Sequence, residues 1–188
     1  MSTETLLSVC LGLGLSAACG FRVFVPLLAV SLAARVGWLT LASELAWLAE
    51  TPALIAFAVA TLLEVIAYYV PWLDNLLDSV STPAAVVAGA VVTASVVTGI
   101  DPSLKWMLAI IAGGGVAGVV QSATVGGRLI SSLTTAGMAN PVIASAELGT
   151  SVLLSILSIL APLVAGVLVV VAILIFLRRR RRRRAAQA

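Results

Sequence analysis

Long apolar runs, cut at intervals by glycine, proline and isolated charges, fill most of this chain. The first runs from Thr5 to Ala34. At 1.5 Å per residue it makes about 45 Å of helix, more than the roughly 30 Å of a bilayer's hydrocarbon core. Gly12, Gly14 and Gly20 lie inside it and Pro26 follows, so a broken helix is expected, with the break near Ala18 to Arg22. From Arg35 to Glu50 the pattern turns amphipathic. Trp38, Leu45, Trp47 and Leu48 stand against Arg35, Glu44 and Glu50, which suits a segment at the membrane interface. Thr51-Pro52 opens the next helix, which reaches about Val70 and carries Glu64, and Pro71-Trp72 ends or kinks it.

A polar stretch with Asp74, Asn75 and Asp78 reads as a loop as far as Pro83, before an uncharged span from Ala84 to Ile100. Gly99, Asp101 and Pro102 form a loop, and Lys105-Trp106 marks another interface. Met107 to Met138 is again too long for one straight span. Gly113-Gly114-Gly115, Gly118 and Gly126-Gly127 predict breaks in it, and Asn140-Pro141 ends it. The last region, Glu147 to Leu177, has Pro162 in its middle; counted back from Arg178 as one straight helix, it puts Glu147 beyond the hydrocarbon core, at the interface, unless Pro162 folds the segment.

Composition agrees with this pattern. The chain has 188 residues, of which 61% are hydrophobic and 10% charged, and its mean hydropathy is +1.17. Soluble domains carry about 25% charged residues. The fold class expected is an all-α polytopic integral membrane protein of about five to seven spans with broken or re-entrant helices. It forms one transmembrane domain over 1–177 and a basic tail over 178–188. The runs do not alternate with period two, against a β-barrel.

The net charge of +3 is set by seven consecutive arginines, Arg178 to Arg184; without them four basic residues face eight acidic ones. The positive-inside rule places this run, and so the C-terminus, in the cytoplasm, touching anionic lipid headgroups rather than nucleic acid. The first basic residue is Arg22, so the opening residues do not read as a secretory signal and the first span is expected to direct insertion. The localisation expected is a bacterial inner membrane, multi-pass.

One frame occurs twice. Ser16 to Arg22 and Ser122 to Arg128 both read S-A-x-x-G-x-R, each amid an apolar run. An arginine at such depth needs a partner, a water-filled cavity or the interface. Small-residue-broken repeats are what some transporters use to build a site near the midplane. A second echo relates Val87 to Val92 and Val164 to Val169, so the halves about 5–100 and 103–177 form a suspected internal repeat.

The candidate substrate- or ion-binding residues are Arg22, Glu64, Arg128, Gln121, Asn140 and Glu147, with Asp74 and Asp78 as a vestibule. Two arginines favour an anion, and Glu64 is the expected counter-charge. The competing reading is that the same charges are paired only to fix the fold. There is no His, which removes the commonest general base and metal ligand. Cys10 and Cys19 match no metal or redox spacing, and there is no nucleophile elbow or nucleotide loop. A non-enzyme without metal or cofactor is therefore expected. The glycine clusters suit close helix packing and homo-oligomers.

Leu15 to Leu27, with Leu63-Glu64, the Val70-Pro71 turn, Asp78, Gly113-Gly114-Gly115 and Ala139-Asn140-Pro141-Val142 before Glu147, resembles the bacterial membrane family designated domain of unknown function 4126. The resemblance implies the architecture and carries no activity. Members often have His at the position of Gln121 and a further acid at that of Leu148, so a role resting on either is not implied here. The function expected is a channel or transporter for a small ion or polar solute. The alternative is a non-transporting structural or regulatory membrane protein.

Overall fold

In the computed structural model the backbone is described for residues 2–185, and the side chains of 71–78, 177 and 179–185 fall outside the description. The described residues form eight α-helices: α1 (Thr3–Cys19), α2 (Phe24–Arg35), α3 (Thr51–Ala67), α4 (Pro71–Val96), α5 (Pro102–Leu108), α6 (Gly115–Thr135), α7 (Asn140–Leu160) and α8 (Pro162–Ala185). A 3₁₀ segment, Ser43–Ala49, precedes α3, and a π-helical segment, Ala109–Gly114, joins α5 to α6. No strand occurs among the described residues.

The first apolar run breaks where its glycine and proline predict. Helix α1 closes at Gly20, whose N–H bonds back to the Ser16 and Ala17 carbonyls, and α2 begins at Phe24. Pro162 likewise separates α7 from α8. Proline opens α3, α4, α5, α7 and α8 within the first turn, where its missing N–H has no intrahelical acceptor to lose.

Two stretches differ from the sequence reading. The polar run from Asp74 to Pro83 is helical, not a loop: α4 starts at Pro71 and carries Pro83 in its interior. The glycine-rich run is not broken. It passes from α5 through the π segment into α6, and Pro102–Thr135 is one continuous helical stretch. Extra residues are absorbed as wider turns rather than by ending the helix.

Among the described residues, three stretches are long and apolar enough to cross a membrane: Ser79–Val96, Pro102–Thr135 and Asn140–Leu160. The pair Ser43–Ala49 and Thr51–Ala67, bent by 62°, raises this to up to four. Thr3–Cys19, Phe24–Arg35 and Pro162–Phe176 are shorter apolar helices. At the 3₁₀ segment, Glu44 pairs with Lys105 of α5 at 3.1 Å, which ties the amphipathic stretch to the start of the long helical run.

Helix α1 is the centre of the bundle and packs against α4, α6, α7 and α8. Leu11, Leu15, Cys19, Val92 and Ala117 form the heart of its apolar core. Where α1 meets α4 the contact is polar and close. The Ser16 hydroxyl donates to the Gly89 carbonyl at 2.8 Å and lies 2.7 Å from the Thr93 hydroxyl, which donates to the Gly12 carbonyl at 3.2 Å. In lipid, small residues that bring backbones together and hydroxyls that bond across them hold helices where no hydrophobic drive exists. Helix α3, by contrast, buries only Ala53 and Glu64 along its length and exposes Ile55, Val59, Leu62, Leu63 and Ile66.

A close backbone crossing is that of Gly89 of α4 on the π segment and the start of α6. A Cβ on Gly89 would stand 2.6 Å from the Ala117 Cβ and 2.9 Å from the Gly113 carbonyl oxygen. Gly89→Ala is therefore expected to cost about 1–3 kcal/mol, read as a lower SDS-unfolding midpoint. Gly115→Ala, where the new Cβ meets nothing within 4 Å, is expected to leave that midpoint unchanged or raise it.

Candidate functional site

Breaking the first run leaves the first N–H groups of α2 without helical acceptors, and they face the interior. Val23 at the N-cap has no side-chain cap of its own. Glu64 of α3 supplies the acceptors instead: the Val23 N–H donates to its Oε1 at 2.8 Å and the Phe24 N–H to its Oε2 at 3.1 Å. A carboxylate at a helix N-terminus is favoured by hydrogen bonding and by the helix dipole. Glu64 thus caps the start of α2 and faces the charges of Arg22 and Arg128 without a close ion pair to Arg22 among the described residues.

Arg22 sits in that break and is 1% exposed. Its Nη2 donates to the Ala144 carbonyl of α7 at 2.8 Å and lies 3.6 Å from Glu147 Oε2. Arg128 comes from α6, also buried. Its Nε donates to Glu147 Oε1 at 3.2 Å, and its Nη2 contacts Oε2, a two-point engagement of one carboxylate. Both guanidinium groups lie against the Tyr68 ring, with Cζ 3.8 Å from its centroid for Arg22 and 4.0 Å for Arg128. Cation–π contact strengthens when desolvated. The Tyr68 hydroxyl is 3.0 Å from that of Ser81 on α4. Two cations, from the α1–α2 break and from α6, thus share one ring from the end of α3 and one carboxylate from α7.

Glu147 is buried in the bundle, 5% exposed. The count back from Arg178 assumed a straight helix, and the break at Ala161-Pro162 turns α7 into a separate helix that carries Glu147 into the bundle. The two S-A-x-x-G-x-R frames differ in local structure. The first spans a helix end and the second stays within α6, yet their arginines arrive at one point.

Gln121 is buried on α6, two turns before Arg128 and so near the same face. Asn140 opens α7, and its Nδ2 donates to the Ser132 hydroxyl at 3.2 Å. Asp74 and Asp78 fall on the α4 backbone, but their side chains lie outside the described residues. Of the arginine run, only the Arg178 side chain is within them. Tyr68 was not singled out from the sequence. Its signal is the four-residue spacing from Glu64, which puts ring and carboxylate on one helix face. No cluster of three or more His, Cys, Asp or Glu fit to hold a metal occurs among the described residues.

Beside the cluster is an apolar groove of about 450 Å³ between α6, α7 and α8, with Glu147 as its charged lining residue. These features define an all-helical, multi-pass membrane protein with an internal network of paired charges. The chain belongs to the family Domain of unknown function (DUF4126), which matches residues 9–182. That confirms the resemblance drawn from the motifs. No curated protein and no solved structure matches the chain.

Proposed function

We propose that this protein is a channel or transporter for a small ion or polar solute, with an anion favoured, in the bacterial plasma membrane. On this reading the chain makes about five to seven crossings from two related halves and acts as a homo-oligomer. Its C-terminal arginines lie on the cytoplasmic side against anionic headgroups. It needs no cofactor and catalyses no reaction. The observation that carries the reading is the meeting of Arg22 and Arg128, from separate elements, on one carboxylate and one ring inside the bundle. Charges inside a membrane are costly and most often mark a path for ions or solutes. Two guanidinium groups that share one carboxylate hold an anion's position, with Glu147 in it. Gln121 and Asn140 belong to the wider site.

The second reading, a structural or regulatory membrane protein, is favoured by the pairing itself: Glu64 and Glu147 both engage donors within the chain. Flux from proteoliposomes loaded with a panel of small anions and cations separates the two. The transport reading expects anion flux with the wild type that Arg22→Ala abolishes while the variant stays folded. No flux for any solute from folded, oriented protein establishes the structural reading instead.

A further inference from the structure

We infer that the groove between α6, α7 and α8 is a lateral binding site for a single-chain amphiphilic carboxylate. Its head takes the place of the Glu147 carboxylate on Arg128 and Arg22, and its chain lies along the apolar walls. This deepens the proposed function by naming the class of anion, and it rests on that reading only for the idea that the guanidinium pair serves a ligand.

Three observations carry it. The groove is long enough for a short alkyl chain at about 450 Å³, and its walls, among them Phe21, Val120, Ile173 and Phe176, are apolar. A hydrated inorganic ion gains nothing from such walls, whereas an alkyl chain gains with each methylene buried. Ala123, Gly127, Ala172 and Phe176 are exposed on its rim, so access is from the side of the bundle rather than along its core. The charged end is already shaped for a carboxylate, because one occupies it. Glu147 meets Arg128 at two points and lies 3.6 Å from Arg22, the planar two-oxygen geometry that guanidinium groups favour. When that side chain turns aside, a carboxylate head from the groove meets the same donors. Gly127 lies on the groove wall next to Arg128, and a Cβ there meets no protein atom within 4 Å. The groove can therefore be filled without disturbing the bundle.

The test is binding, measured by thermal shift on the full chain in lipid nanodiscs, with straight-chain carboxylates from acetate to octanoate and the matching alcohols and amines. Glu147→Ala is expected to bind carboxylates, with affinity rising about three- to fourfold per added methylene, and to ignore the alcohols and amines. Adding Gly127→Leu should remove the chain-length dependence while acetate still binds. The same response to all three head groups, an affinity flat in chain length, or no binding overturns the proposal. If Glu147→Ala does not fold, a photoreactive octanoate on wild type replaces it. Labelling of α6 and α8 groove residues that Gly127→Leu prevents supports the site, and labelling indifferent to Gly127→Leu sinks it. Because no flux is measured, small-anion transport without amphiphile binding removes this inference and leaves the transport reading standing. Binding without flux removes the transport reading alone.

Discussion

Arg128→Met is expected to be the most destabilising single substitution in this chain. It removes both donors that hold the Glu147 carboxylate and leaves the nearest Arg22 nitrogen at 3.6 Å. It also takes one of two cations from the Tyr68 ring. Removing one partner of a buried pair costs about 3–5 kcal/mol, chiefly because the other charge stays behind in a medium that cannot solvate it. The same physics predicts a rescue. Arg128→Met with Glu147→Gln removes one charge of each sign, keeps an acceptor near Arg22 and is expected to recover most of the loss. SDS-unfolding midpoints of wild type, both single variants and the double variant close the cycle. A loss below about 1 kcal/mol for Arg128→Met means that water reaches the pair, and the buried network is then not what holds α6 to α7.

Glu64→Ala is expected to have an effect of comparable size. This carboxylate supplies the acceptors for the two N–H groups at the start of α2, each a charge-assisted bond worth about 1.5–3 kcal/mol. Alanine strands both in an apolar interior. Glu64→Gln keeps one oxygen and loses the charge, so its cost should fall between wild type and alanine. The distinguishing readout is local. Amide exchange at Val23 and Phe24 should quicken sharply in Glu64→Ala and less in Glu64→Gln, while exchange in α8, which Glu64 does not touch, stays the same. Equal exchange at Val23 and Phe24 in all three proteins rules out the cap. Because Arg22 is held by this break, Glu64→Ala should also loosen Arg22 from Ala144 and Tyr68 without removing any atom that either contacts.

The expected pair of Arg22 with Glu64 shows where reading by charge falls short. Opposite signs at depth implied an ion pair, but a broken helix also leaves N–H groups facing inward, and these claim the carboxylate first. Glycine carries two readings in the sequence. Gly113 and Gly114 predict a break by propensity and close helix packing by size; the helix runs on without a break, and α4 approaches the π segment closely at Gly89. Propensity costs about 1 kcal/mol per glycine, and a close helix crossing repays it. Helix α4 runs through Asp74 and Pro83 for a related reason. A proline removes one hydrogen bond and kinks the helix, but the turns on either side keep theirs.

The sequence by itself determined that this is an all-helical membrane protein. It located the break near Gly20 and singled out the two arginines, because these follow from local quantities: run length, glycine and proline geometry and the cost of a charge in hydrocarbon; whether Pro162 breaks the last region it left open. The family also followed from its motifs. From the duplicated frame the two arginine segments are expected to meet; only the tertiary structure decided that Glu147 is the carboxylate both arginines approach and that Tyr68 lies against both. Those pairings join residues on α1, α3, α6 and α7. They depend on how far each helix tilts and where each break redirects it, and no stretch of local sequence fixes such distances.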